Sequence, residues 1–238
     1  MAEREYLVEQ EYFNLDKTQS ITIKIPKDTV DTDKVKTLGI WCSGGADSSA
    51  LLYLLTKTLK DHKLNDIYIQ PMTVRRGRPW NPVKAGAVIN RVTELLNFDN
   101  MLPHLVYYPD RNDSHQLEWQ EFQDRDAENM KTGVWDTLYD GLTSNPPEGV
   151  MPYSNQEEHR RGPDVVKELA SPSGQHFRPF WQINKQFIAD IYRGHNLINS
   201  LFPITWSCEG SVEDSHNYTI HCETCWWCIE RMWAFGRL

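Results

Sequence analysis

The stretch that most limits what this chain can fold into is Leu38-Gly39-Ile40-Trp41-Cys42-Ser43-Gly44-Gly45-Ala46-Asp47-Ser48-Ser49, continued by Ala50-Leu51-Leu52-Tyr53-Leu54-Leu55. An apolar run of strand length enters a Ser-Gly-Gly turn, and the turn opens directly into a strong helix-forming run. Adjacent glycines let the backbone turn tightly and bring its N–H groups against a ligand with no Cβ in the way. Ser48 and Ser49 then fall near a helix N-terminus, where unpaired N–H donors and the positive end of the dipole favour a phosphate. Asp47 offers the carboxylate that Mg²⁺ bridging to phosphate oxygens would need. The loop is not a Walker A sequence, because the lysine of that motif and its spacing are missing.

Before this stretch, residues 1–36 read as an N-terminal addition. Ile21-Thr22-Ile23-Lys24-Ile25 alternates and stops at Pro26, as an edge strand or hairpin does. After it, strand and helix patterns alternate. Ile67-Tyr68-Ile69 runs on through Pro71-Met72-Thr73-Val74 as a second strand and ends in the basic cluster Arg75-Arg76-Gly77-Arg78. Asn81-Pro82 supplies an N-cap and a first-turn proline for a helix carrying Val83, Ala87, Val88, Val92, Leu95 and Leu96 at roughly helical spacing. His104 to Tyr108 is a third strand, Ser114 to Met130 an acidic helix with Leu117, Phe122 and Met130 inward, and Val134 to Leu142 a fourth strand. The fourth strand closes on Thr143-Ser144-Asn145-Pro146-Pro147-Glu148-Gly149. Residues 150–180, rich in Pro, Gly, Ser and charge, suit a lid or a surface connection. Asn184 to Tyr192 is an amphipathic helix with Phe187, Ile188 and Ile191 on one face.

Strands separated by helices predict an α/β fold: a Rossmann-like parallel sheet with helices on both faces. Ligands of such sheets bind beyond the carboxyl ends of the strands, where the Ser43–Ser49 loop, the arginine cluster and the Asn145 loop would converge.

The five cysteines are unevenly placed: Cys208, Cys222, Cys225 and Cys228 crowd the C-terminal end, while Cys42 stands apart as an expected core residue. Such clustering without secretory features points to metal rather than disulfides. The two short Cys-x-x-Cys steps match knuckle geometry, with a loop returning the fourth thiolate. A closed four-cysteine site predicts a structural Zn²⁺; tightly spaced cysteines also suit an Fe–S cluster. His216 or His221 could stand in for one thiolate. Trp226 to Phe235 reads as a helix whose start helps keep a sulfur deprotonated, with Trp226, Trp227, Trp233 and Phe235 as core around the metal.

The net charge of −8 argues against a broad nucleic-acid footprint, and no apolar run is long enough to cross a bilayer. A charged rather than apolar start, Met1-Ala2-Glu3-Arg4-Glu5, lacks signal-peptide character, so a soluble, cytoplasmic protein is expected.

The Ser43–Ser49 loop resembles the Ser-Gly-Gly-x-Asp-Ser loop of the PP-loop (HUP-type) ATP pyrophosphatases, which split ATP between its α- and β-phosphates. Together with Pro179 to Lys185, Trp206-Ser207-Cys208 and the remaining cysteines, the chain resembles the 7-cyano-7-deazaguanine synthase family of queuosine biosynthesis. That family usually carries Tyr-Pro-Asp-Cys-Arg where this chain has Thr143 to Gly149. The chain is expected to have three parts: the addition at 1–36, which lies outside the family's usual start, an ATP-binding α/β domain at 37–200 and a zinc module at 201–238. The resemblance implies ATP gripped by Ser43, Gly44, Gly45, Ala46, Asp47, Ser48 and Ser49, with Mg²⁺ placed by Asp47. It casts Asp47, Lys185, Arg75 and Arg78 as catalytic, Thr143, Asn145 and Arg76 as substrate-binding, and the four C-terminal cysteines as ligands of Zn²⁺. The implied partners are a carboxylated deazapurine and ammonia, with no nucleic acid or membrane; a homodimer is compatible with it. Other expectations kept open are a tRNA-thiolating or phosphoadenylylsulfate-reductase-like enzyme, and a non-catalytic nucleotide- or deazaguanine-binding module.

Overall fold

The structure, a computed structural model, describes residues 5–27, 36–75, 80–108, 115–151 and 175–238, without the side chains of 115–120 and 122. Arg76, Arg78, most of the 150–180 segment, Leu117 and Phe122 therefore lie outside what is described. Strands β1 (Tyr6–Phe13) and β2 (Ser20–Pro26) form an antiparallel hairpin. Its alternation is the reason it holds: Ile21, Ile23 and Ile25 are buried, while the residues between them are only half-buried. The hairpin docks through Tyr12, whose hydroxyl meets Leu54 O and Thr58 Oγ1, and through Lys24 O, which accepts from the Tyr139 hydroxyl at 2.6 Å.

The main sheet has five parallel strands in the order β5-β4-β3-β6-β7: β3 (Thr37–Trp41), β4 (Tyr68–Val74), β5 (Leu105–Tyr107), β6 (Thr137–Tyr139) and β7 (His176–Phe177). The chain moves outward from β3 to β5, then returns to lay β6 on the other side of β3. The strand order therefore reverses at β3, so a crevice opens at the carboxyl end of that strand. Helix α1 (Ala46–Asp61) is buried along most of its length, as an all-round apolar run requires. With α2 (Asn81–Leu96), α4 (Lys185–Gly194) and α5 (Trp226–Phe235), it contributes to the larger apolar core. A separate cluster of Met72, Trp135 and Leu138, joined by Met130 of α3 (His115–Lys131), covers the other face of the sheet.

Three local expectations shift. Helix α2 starts one residue earlier than expected: Trp80, not Asn81, is the N-cap, and Asn81 and Pro82 open the helix. Its buried face is Ala85, Val88, Ile89 and Val92, an i, i+3, i+4, i+7 set, leaving Val83, Ala87 and Leu95 outward. The fourth strand keeps only Thr137–Tyr139 of the expected 134–142, and β7 adds a two-residue strand that no periodicity could announce. Pro71, inside β4, falls opposite the gap between the Ile69–Met101 bridge and the first residue of β5, so its missing N–H costs no ladder bond.

Gly39 is required by close approach. A Cβ there would stand 2.8 Å from Cγ of the fully buried Trp135. Gly39→Ala should destabilise the fold by about 1–3 kcal/mol, read as a lower urea midpoint with an unchanged slope.

Candidate active site

The loop leaving β3 is shaped by its two glycines. Gly44 has φ +81°, and a Cβ on it would stand 2.8 Å from the Ala85 nitrogen in the first turn of α2. Both facts exclude larger residues. Gly45 caps α1 in extended backbone, placing Asp47 in the first turn, where a carboxylate is favoured by the helix dipole. The hydroxyls turn inward on the loop. Ser49 Oγ donates to Gly45 O at 2.6 Å, Ser48 Oγ accepts from the Ser43 N–H at 3.2 Å, and Ser43 and Ser48 Oγ lie 3.1 Å apart. The Gly45 and Ala46 N–H groups donate only long bonds, to Ser43 Oγ at 3.3 Å and Ser207 Oγ at 3.4 Å. Hydroxyls at that distance are easily replaced by a phosphate oxygen.

Asp47 and Lys185, expected from separate motifs, meet here: Lys185 Nζ stands 3.1 Å from Asp47 Oδ2. Lys185 is 1% exposed, not the solvated first-turn lysine its position at the start of α4 would suggest. A second carboxylate that sequence reasoning missed, Glu230 of α5, lies 2.8 Å from the same Nζ and is fully buried. No motif marks it. The signal available was a charged pair, Glu230-Arg231, within an otherwise apolar helix. Arg231 is also buried, donating from Nη1 to Thr205 Oγ1 at 2.8 Å and from Nη2 to Phe202 O at 3.2 Å.

The loop after β6 closes the other side of the crevice. A Cβ on Gly141 would lie 3.2 Å from the Asp47 carbonyl, and the Ser144 N–H donates to Ile183 O at 2.9 Å. Thr143 is buried and Asn145 half-buried in that loop. Asp140, at the end of β6, accepts from Arg178 Nε at 2.8 Å, and His176 Nε2 stands 2.8 Å from the same oxygen. Burial alone would raise its pKa, but His176 and Arg178 outweigh it and carry the carboxyl down to about 2. Arg75 is not drawn into this group; it is exposed at the end of β4, its guanidinium 5.5 Å from the Tyr108 ring.

An aromatic cluster that sequence reasoning did not single out borders the loop. The Trp206 N–H donates to Gly44 O at 2.7 Å. The Trp206 ring stacks on His221 at 4.4 Å, meets Trp80 edge-on at 6.0 Å and has Lys84 Nζ 4.4 Å from its centre. The indole N–H groups of Trp80 and Trp206 and His221 Nε2 have no hydrogen-bond partner among the described residues. Burial, then Arg231 and Lys84, push His221 down to about 4, so its ring is neutral.

The four cysteines do assemble: their sulfurs all lie within 4.8 Å of one another. Around one ion with metal–sulfur bonds of about 2.3 Å, a tetrahedron has edges of about 3.8 Å; Cys222 and Cys228 Sγ are 3.9 Å apart. Main-chain N–H groups aim at the sulfurs: Gly210 and Cys222 at Cys208, Cys225 at Cys222 and Glu209 at Cys225, each at 3.3–3.4 Å. Such donors stabilise thiolates. Gly210 is needed for this closeness, because a Cβ there would stand 2.6 Å from Cys222 Cβ. The donor set fits a soft divalent ion held by Cys208, Cys222, Cys225 and Cys228. His216 is exposed and His221 stacks on Trp206, so neither belongs to the sulfur group. Cys42 is buried, its thiol pushed up to about 12 by desolvation.

On the opposite face of the sheet, burial raises Asp126 of α3 to about 7. Its folded pKa lies above the ordinary 3.8, so the folded state holds an extra proton between those values and loses stability as pH rises through that window. Asp140 acts in the opposite sense: its contribution is complete above pH 3.8 and lost as pH falls toward about 2. Asp126→Asn should therefore be the more stable protein at pH 8, by about 1–3 kcal/mol, and match the parent near pH 4 in urea titrations. Separately, Cys225→Ser should lose about one equivalent of bound metal by mass spectrometry and melt well below the parent.

No protein-family model matches the chain, and no curated protein matches it. Among solved structures it is similar to the U34-tRNA thiolase NcsA from Methanococcus maripaludis with its [4Fe-4S] cluster, at 14% identity and TM-score 0.44 over 71% of this chain and 60% of that one. It is also similar to the NAD+ synthetase from Burkholderia pseudomallei, at 13% identity and TM-score 0.35 over 86% of this chain and 76% of that one. No helix among the described residues is long and apolar enough to cross a membrane.

Proposed function

We propose that this protein is an ATP-dependent ligase of the PP-loop type that adenylates a carboxylate, releasing pyrophosphate. The observation that carries this reading is the Ser43–Ser49 turn at the reversal point of the sheet, with the buried Lys185 ammonium 3.1 Å from Asp47 beside it. Ser43, Gly44, Gly45, Ala46, Ser48 and Ser49 grip the β- and γ-phosphates through N–H and hydroxyl donors, and Asp47 helps hold Mg²⁺ on them. The substrate carboxylate attacks the α-phosphorus; the bond to the bridging oxygen breaks, giving an acyl-adenylate and pyrophosphate. The protein aligns the reactants and neutralises the charge gathering on phosphorus, the latter through Lys185. Ammonia then adds to the acyl carbon, AMP leaves, and an amide results; a second adenylation and loss of AMP would carry the amide to a nitrile.

The acid proposed is 7-carboxy-7-deazaguanine. A planar heterocycle carrying a carboxylate would pair with the Lys84 ammonium at the edge of the cluster that the buried Trp80 and Trp206 form with His221. Thr143 and Asn145 lie on the facing loop as its further contacts. The ion proposed for the four thiolates is zinc, in a structural role, because a closed four-sulfur tetrahedron leaves no coordination position for substrate. A four-iron cluster would hold each thiolate on a different iron and spread the sulfurs further apart. Sulfur transfer is disfavoured by the same residues: Cys42 is buried with a raised thiol pKa, and the other cysteines are gathered on one another.

The test is product analysis with ATP, Mg²⁺, ammonium and the carboxylated deazapurine. Equal amounts of AMP and pyrophosphate are expected; ADP and orthophosphate, or no turnover with any planar heterocyclic acid, would overturn the reading. Asp47→Ala should cut pyrophosphate release at least ~100-fold while keeping the melting transition, since Glu230 still neutralises Lys185.

A further inference from the structure

Lys185 is an unusual place for a cation. It is 1% exposed and opens α4, where the helix dipole repels positive charge. Two carboxylates hold it, and they differ. Asp47 sits in the phosphate-type loop and is one-fifth exposed; Glu230 is fully buried and closer, at 2.8 Å against 3.1 Å. Under the proposed reaction Asp47 must turn to Mg²⁺ when ATP binds. A lysine held by Asp47 alone would then lose its counter-charge at the moment it is needed. Glu230 has no such second task. It lies two residues beyond Cys228 on α5, a helix capped by Cys225 and fixed by the next residue, Arg231, to Thr205 and Phe202.

We propose that Glu230 is the positioning residue for Lys185: it holds the ammonium in place while Asp47 exchanges the lysine for Mg²⁺. The four-cysteine module thereby takes part in the reaction through one carboxylate, without its metal touching substrate. The kinetic half of this inference rests on the adenylation reading; the pairing half does not, and the two are separable.

The pairing is tested by melting Glu230→Gln, Lys185→Met and the double variant, each checked for metal content. Breaking one side of a buried pair is expected to lower the melting temperature by about 10 °C, and removing both sides to recover at least half of that loss. Losses that simply add would overturn the pairing, as would a Glu230→Gln variant that melts like the parent. If Glu230→Gln should fail to fold, Glu230→Asp takes its place in the cycle with Lys185→Met, under the same criterion. The positioning role is tested by steady-state kinetics of Glu230→Gln with normal metal content. A fall in kcat of at least ~30-fold with KM for ATP within about 3-fold is expected, the pattern of an interaction needed in the transition state. An unchanged kcat, or a rise in KM alone, would overturn it. Should no variant or parent turn over any acid, the adenylation reading fails while the melting cycle still decides the pairing.

Discussion

A charged lysine sealed from water is the constraint around which the rest of this molecule is arranged. Desolvating an ammonium costs several kcal/mol unless close carboxylates offset it. Lys185 obtains its two carboxylates from the first turn of α1 and the middle of α5, segments at opposite ends of the sequence. Neither could be supplied by α4 itself. The core must therefore close over all three helices together, and their apolar faces form one continuous cluster from Tyr12 to Phe235. Arg231, beside Glu230, repeats the device with neutral partners: its guanidinium stands 3.8 Å from the Phe202 ring and donates to a hydroxyl and a carbonyl. Two neighbouring buried charges on one helix thus tie it both to α4 and to the turn before Trp206.

That turn delivers three consecutive residues with three different tasks. Trp206 donates its N–H to Gly44 O, Ser207 Oγ accepts from the Ala46 N–H, and Cys208 contributes a sulfur to the metal group. The loop on which phosphate would sit and the segment that carries the first thiolate are consequently one hydrogen-bonded unit. The Ala46–Ser207 contact joins residues 161 apart, so it exists only once both the sheet and the cysteine module have formed.

What could be read from the sequence follows from how local each signal is. The β3–loop–α1 unit, the β2 alternation, α4 to within a residue or two, and α5 are all set by neighbours within a few residues, and stand where the pattern put them. The four cysteines were legible for the same reason. β7 was not, because two residues carry no period, and the face of α2 was misjudged because two overlapping apolar stripes compete within it. Within the site, Asp47 and Lys185 were each marked by a local motif, but their pairing was not. Glu230, Asp140 with Arg178, and the Trp80–Trp206–His221 cluster had no local mark, since each is made by tertiary contact alone.

The chain as a whole carries a charge of −8, while the proposed reaction requires an anion at the crevice at β3. The reconciliation lies in where helices begin. A right-handed strand–helix–strand crossover places each helix N-terminus near the carboxyl end of the strand before it. The first turn of α1 forms the loop, the first turn of α2 packs against Gly44, and α4 begins with the lysine that reaches Asp47. Three helix starts are therefore gathered around the one loop, and charges so close to it act more strongly there than scattered surface carboxylates screened by solvent. The acidic pair around Lys185 does not cancel this field at the loop, because Glu230 is spent on the buried ammonium and Asp47 is the group a magnesium ion would take up. The fourth helix start, at α5, faces Cys225 and favours a thiolate instead. One architectural rule thus serves both the proposed anion site and the four-cysteine cluster, and the buried Lys185–Glu230 pair joins the helix that follows the cysteines to the one that opens beside Asp47.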